Sequence, residues 1–256
     1  MKWIRERVLN GELVVGTFLN LASSFTAEIV GHAGFDWVLV DLEHGVGDEL
    51  SLAHQFQALA STPAVPLVRL PCNDSTRMKR VLDLGAFGVM VPYVNTAEEA
   101  ESVAAAMRYP PKGIRGVNKS NRACGFGRLA GEYYPAANDN LLSIVQIETK
   151  QAVDNLDAIA AVDGVDVLFV GPLDLSASLG IEQQFDHPTF HEALKAVVEA
   201  CRKAGKTAGM HALRPDMLGA VADAGFTFIG MGVESIVVST AMKNLYGNWT
   251  KFMEGR

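Results

Sequence analysis

Residues 141–148 read LLSIVQIE and residues 165–172 read VDVLFVGP. Each is a short, nearly unbroken apolar run, and the pattern between them, residues 149–164, is helical. Strands that are apolar on both faces belong to parallel sheets covered by helices, because both faces must be buried. The same alternation extends in both directions. Upstream lie LVVGTFLN from Leu13, WVLVDLE from Trp37, PLVRLP from Pro66 and GVMVPYV from Gly88; downstream lie TAGMHA from Thr207 and FIGMGVE from Phe228. Helix starts are signalled by Ser23 and Ser24, by Asp74 and Ser75, by Thr96 with Glu99 three residues on, and by Pro215 and Asp216. Gly34, Gly85, Gly164, Gly205 and Gly225 each close a helical pattern just before a strand. Eight such units in a chain of 256 residues predict an α/β fold made of a single (β/α)8 TIM barrel spanning residues 1–256. An open doubly wound sheet is the competitor, but the first strand runs into LNLASS, with no GxGxxG phosphate loop.

Composition narrows the function classes. The 22 Lys and Arg against 29 Asp and Glu leave a net charge of −7, which disfavours nucleic acid and anionic membranes as partners. No apolar run reaches the roughly 18 residues of a membrane span, and MKWIRERVLNGEL lacks the apolar core of a signal peptide. Cys72, Cys124 and Cys201 are odd in number and without ligand spacing, so they read as reduced thiols in a cytoplasmic protein.

In barrel enzymes the reacting groups sit at the C-terminal ends of strands. Gln146 and Glu148 are two apart on the fifth strand and share a face. Val145 and Ile147 suit the helix layer, which directs Gln146 and Glu148 into the barrel mouth. Asp174 follows the sixth strand, about 4.8 Å away across the sheet. Two converging carboxylates repel unless a cation relieves them, and an all-oxygen pair suits Mg2+ or Mn2+. The plainer alternative is that Glu148 pairs with a basic side chain of the barrel. Arg69, ending the third strand, is costly to bury without an anion, and could hold a carboxylate or an enolate oxygen, or merely pair with Glu148 or Asp41. Asp41 and His44, three apart after the second strand, could form a proton-handling pair, with Glu43 as a rival acid. His211 ends the seventh strand at the same rim, where it could touch substrate. From Ser102 to Gly131 there are basic residues (Arg108, Lys112, Arg115, Lys119, Arg122, Arg128) and no acidic one. That stretch predicts either a positive field over the mouth or a solvated or subunit-contact loop. No lysine stands at a strand's C-terminal end, which weighs against a Schiff-base aldolase.

Three long motifs then carry a resemblance: GHAGFDWVLVDLEHG (31–45), GAFGVMVPYVNTAEEA (85–100) with RYPPKGIRGV (108–117), and VQIETKQAVDNLDAIAAVDGVDVLFVGPLDLSASLG (145–180). Over nearly its whole length the sequence resembles the HpcH/HpaI aldolase family, the metal-dependent (class II) pyruvate aldolases of the phosphoenolpyruvate/pyruvate barrel superfamily. The resemblance implies reversible cleavage of a 4-hydroxy-2-oxo acid, a sugar-acid or dicarboxylate derivative, to pyruvate and an aldehyde. It implies a divalent metal (Mg2+, Mn2+ or Co2+) on Glu148 and Asp174, Arg69 facing the enolate oxygen, and Asp41 with His44 handling the proton. Gln146 falls near pyruvate, and Gly171, Pro172 and Leu173 border the pyruvate carboxylate. Asp83 matches a buttressing aspartate, in its own or a neighbouring site. A homo-oligomer (trimer or hexamer) that exchanges its last helix between subunits is also implied. Leu173 and His211 depart from the family pattern, which places the difference in the aldehyde pocket. A citrate-lyase-like cleavage of acyl-CoA thioesters and a catalytically silent metabolite-binding barrel are the alternatives. A phosphoenolpyruvate mutase or isocitrate lyase is disfavoured, because its reactive-loop cysteine motif is missing.

Overall fold

The eight apolar runs fold as strands because each buries one face in the barrel and the other under helices. The computed structural model describes all 256 residues, Met1–Arg256. The strands are β1 (Val14–Leu19), β2 (Trp37–Asp41), β3 (Val65–Arg69), β4 (Gly88–Val91), β5 (Leu142–Ile147), β6 (Val167–Val170), β7 (Thr207–Ala212) and β8 (Phe228–Val233). All pair in parallel in chain order, and β1 pairs with β8, so the sheet closes and the open-sheet alternative falls. The helices are α1 (Arg5–Leu9), α2 (Ser24–Gly31), α3 (Glu49–Leu59), α4 (Ser75–Asp83), α5 (Ala97–Met107), α6 (Ala130–Asn140), α7 (Lys150–Asp154), α8 (Leu156–Ala160), α9 (Pro172–Ser178), α10 (Pro188–Ala204), α11 (Leu218–Asp223) and α12 (Glu234–Glu254).

Two apolar clusters follow from strand parity. Val145, Ile147, Val38 and Val40 join the cluster between sheet and helices, whereas Trp37, Leu39, Ile144, Phe169 and Phe228 fill the barrel interior. The interior is packed by size complementarity: Trp37 stacks on Phe228 at 4.5 Å, and a Cβ at Gly16 would come within 1.9 Å of the Trp37 ring. Helix α1 closes the base, its Ile4 and Val8 belonging to the interior cluster.

Local signals act as their chemistry requires. Ser23, Asp74 and Thr96 each accept the backbone N–H three residues on. The five glycines that end helical patterns all have positive φ, from 66° at Gly205 to 106° at Gly225. The Glu99 carboxylate bonds the N–H of Asn95 rather than that of Thr96. A reciprocal capping box forms instead between Asp48 and Ser51. No helix is long and apolar enough to cross a membrane.

Candidate active site

The site begins with strand register. Asp41 and Arg69 are direct partners across β2 and β3, at the C-terminal ends of both strands. Being neighbours on the inward face, they pair: Arg69 Nε and Nη2 donate to the two Asp41 carboxylate oxygens at 2.9 and 2.6 Å. The remaining nitrogen, Nη1, makes only longer contacts, 3.1 Å to Glu43 Oε2 and 3.4 Å to Gln146 Oε1. Gln146 passes the chain on, donating to Glu148 Oε2 at 2.9 Å. The backbone N–H of Tyr93, just past β4, donates to Glu148 Oε1 at 2.7 Å, and its phenol reaches Asp174 Oδ1 at 3.4 Å. A continuous polar chain thus runs Asp41, Arg69, Gln146, Glu148, Tyr93, Asp174 around the mouth. Gly171 leaves room for it, since a Cβ there would lie 2.7 Å from Glu148 Oε2.

Charge does not balance in this chain. Asp41, Glu43, Glu148 and Asp174 supply four carboxylates, and Arg69 is the one guanidinium among them. Burial, with Asp174 and Glu43 nearby, pushes the Glu148 carboxyl up to about 7, against the lowering effect of the Tyr93 N–H and Arg69. Glu43 is raised mainly by burial, while Arg69 is held charged because Asp41, Glu43 and Glu148 outweigh its own desolvation. Such a donor set, rich in carboxylate oxygens and poor in cations, fits a hard divalent cation. Tyr93 links the Glu148 and Asp174 carboxylates of this set, and no group of three or more His, Cys, Asp or Glu side chains is arranged to hold an ion.

Residues 15–241 match the family described as HpcH/HpaI aldolase/citrate lyase. The chain belongs to this family. It is 40% identical over 246 residues to the hydroxypyruvate/pyruvate aldolase of Roseobacter denitrificans, covering 96% of each chain. It is 41% identical over 239 residues to the 2-keto-3-deoxy-L-rhamnonate aldolase of Shigella sonnei, covering 93% of this chain and 89% of that one. The crystal structure of an HpcH/HpaI aldolase/citrate lyase family protein from Burkholderia cenocepacia superposes with a TM-score of 0.91 at 34% identity, covering 96% of this chain and 98% of that one.

In this HpcH/HpaI chain, several sequence expectations need correction. Asp41 does not hold the His44 imidazole. Its carboxylate accepts the Arg69 fork and the backbone N–H groups of Glu43 and His44, and the ring is 68% exposed with Nε2 3.9 Å from Glu43 Oε1. Glu43, weighed as a rival, is therefore the carboxylate neighbour of His44. The basic stretch 108–128 does not overhang its own mouth either. Helix α5 carries the chain from mouth to base, where Arg108 pairs with Asp163, Lys112 with Asp139, and Arg122 donates to the carbonyls of Leu84 and Phe56. Asp83 lies there too, ending α4 and paired at 2.7 Å with the buried Arg115.

His211 projects into the barrel, edge-on to Phe18 at 5.2 Å, its Nε2 3.4 Å from the Gly232 carbonyl. Burial lowers its basicity and nearby Arg69 adds to that, against the raising effect of the Gly232 carbonyl. Pro172 is buried at the start of α9, and Leu173 stands 52% exposed on the rim beside Asp174. Tyr93 was not legible: a non-glycine residue with a φ of 52° carries no sequence signature.

Proposed function

We propose that this chain is a divalent-cation-dependent aldolase that reversibly cleaves a 4-hydroxy-2-oxo acid to pyruvate and an aldehyde. The observation that carries the reading is the uncompensated cluster of carboxylates joined to a preoriented arginine at the C-terminal rim of the barrel. The aldolase activities in the names of the Roseobacter and Shigella relatives support the reaction class. Glu148 and Asp174 would hold Mg2+, Mn2+ or Co2+. When bound, the cation supplies Lewis-acid polarisation of the 2-oxo group.

The chain's own residues account for the rest. Cleavage breaks the C3–C4 bond: the C4 hydroxyl loses its proton and becomes the aldehyde, and the bonding pair moves through C3 onto the 2-oxo oxygen as an enolate. Arg69 is fixed by Asp41 with Nη1 only weakly engaged, so it can tighten onto that oxygen as charge develops. His44, beside Glu43 and open to solvent, takes the C4 hydroxyl proton and returns it in condensation. Protonation at C3 then releases pyruvate. Gln146 and Gly171 border the pyruvate position with Pro172, whereas Leu173 and His211, the two departures from the family pattern, shape the remaining pocket.

Assembly is part of the proposal. Helix α12 leaves Ile236, Val237, Leu245, Trp249 and Phe252 exposed, and only Glu234 at its root is buried. That face supports exchange of α12 between subunits of a homo-oligomer, a trimer or hexamer. Asp83, far from its own mouth, would then buttress only a neighbour's site. Removal of residues 235–256 should leave fewer subunits per particle by light scattering; an unchanged subunit number would refute the exchange. Three unpaired cysteines fit a cytoplasmic location.

Coupling pyruvate release to lactate dehydrogenase tests the reaction, using a panel of 4-hydroxy-2-oxo acids with each cation and with chelator. Pyruvate formed only with a cation is the expected result. A cleavage seen only with acyl-CoA thioesters would instead support the citrate-lyase-like reading.

A further inference from the structure

We propose that Tyr93 is the positioning residue of the cation site, holding the carboxylates of Glu148 and Asp174 as one preset pair; this rests on the cation reading above. Its two polar groups reach the two carboxylates separately. The backbone N–H donates to Glu148 Oε1 at 2.7 Å and the phenol donates to Asp174 Oδ1 at 3.4 Å. The phenol is the sole hydrogen-bond partner of the Asp174 side chain, which is half-buried in the first turn of α9. Without it, binding a cation would also have to order that side chain, at a cost in affinity.

The backbone supports the same conclusion. Tyr93 has a φ of 52°, a conformation that side chains with a Cβ rarely adopt and that persists only where neighbours enforce it. Here they do. Asn95 Nδ2 donates to the Tyr93 carbonyl at 2.9 Å, while the Asn95 N–H is held by Glu99 at 2.6 Å and its carbonyl by Asn155 at 2.8 Å. The Asn95 side chain is also hydrogen-bonded to the Thr149 hydroxyl, one residue beyond Glu148. The strained turn is thus tied on both sides to the segment that carries Glu148, and its result is an N–H aimed at that carboxylate.

The test is a Mn2+ titration of chelator-stripped protein, read by water-proton relaxation, alongside the thermal midpoint of the stripped protein. Tyr93→Phe keeps the ring and the N–H but removes the hydroxyl; it should weaken Mn2+ binding about three- to tenfold with an unchanged midpoint. Tyr93→Gly, which adopts this φ without strain, should fold and lose at least as much affinity. Wild-type affinity in Tyr93→Phe, with binding abolished in Asp174→Asn, would overturn the inference and leave the cation site standing. A lowered midpoint that accounts for the weakened binding would overturn it in favour of a general packing role. Binding that is absent in the wild type, or equal in Glu148→Gln and Asp174→Asn, would overturn the cation reading and this inference together.

Discussion

The two ends of the barrel treat charge in opposite ways. At the base, three arginines each meet a carboxylate of their own: Arg5 forks onto Asp166 at 2.9 and 2.8 Å, Arg115 meets Asp83 at 2.7 Å, and Arg108 meets Asp163 at 2.7 Å. Asp166 also accepts the Ser143 N–H, and Arg115 lies over the Tyr109 ring at 4.4 Å, so these pairs pin chain segments to one another. At the mouth, four carboxylates share one guanidinium. A balanced pair needs nothing further, whereas an unbalanced, largely buried cluster of carboxylates is costly until a cation joins it. On the proposed reading, the difference separates the part of the molecule that holds the fold from the part that acts.

Substitution at the two ends should break different properties. Glu148→Ala or Asp174→Ala should lower cation-dependent pyruvate release by roughly a thousandfold or more, because the Lewis acid loses a ligand. Asp166→Ala should instead destabilise the chain by about 3–5 kcal/mol in urea unfolding, leaving Arg5 unpaired, with near-normal kcat in the protein that remains folded. Similar losses of kcat in both variants would erase the contrast. Arg69→Ala comes next in size: a fall of about 10²–10³ in kcat with KM within a few-fold, since its contact strengthens as the enolate forms. A change confined to KM would show that Arg69 serves binding alone.

The third contrast is in pH. The folded-state value of Glu148 lies above its unfolded one, so its contribution to stability is full below about pH 4.5 and is lost as pH rises through about 7. Relative to Glu148→Gln, the stripped wild type should therefore lose about 2–4 kcal/mol across that window. The base carboxylates Asp163 and Asp139, lowered by Arg108 and Lys112, act with the opposite sign and lose their contribution as pH falls. A wild type that gains on Glu148→Gln as pH rises would contradict this assignment.

How much of this was legible in the sequence follows from range. Strands were readable because burial on both faces leaves an apolar run, and the helix ends because a left-handed residue calls for glycine. The sharing of a face by Gln146 and Glu148 is a local property of a strand. The Asp41–His44 spacing misled because a partner in the adjacent strand, Arg69, outcompetes the imidazole for the carboxylate, and register is set by the whole sheet. Of the two readings of the basic stretch, a field over its own mouth fails because an eleven-residue helix, α5, carries its start from the mouth to the base. Helix α1, five residues long, is too short for periodicity to announce it.

The most direct test of the central claim is to return a divalent cation stepwise to chelator-stripped protein while following pyruvate release from a 4-hydroxy-2-oxo acid. The account predicts no turnover at the start, a rise to a plateau at one cation per chain, and no rise in Glu148→Ala. Full turnover in the stripped protein, or restoration of Glu148→Ala by the same cation, would contradict it.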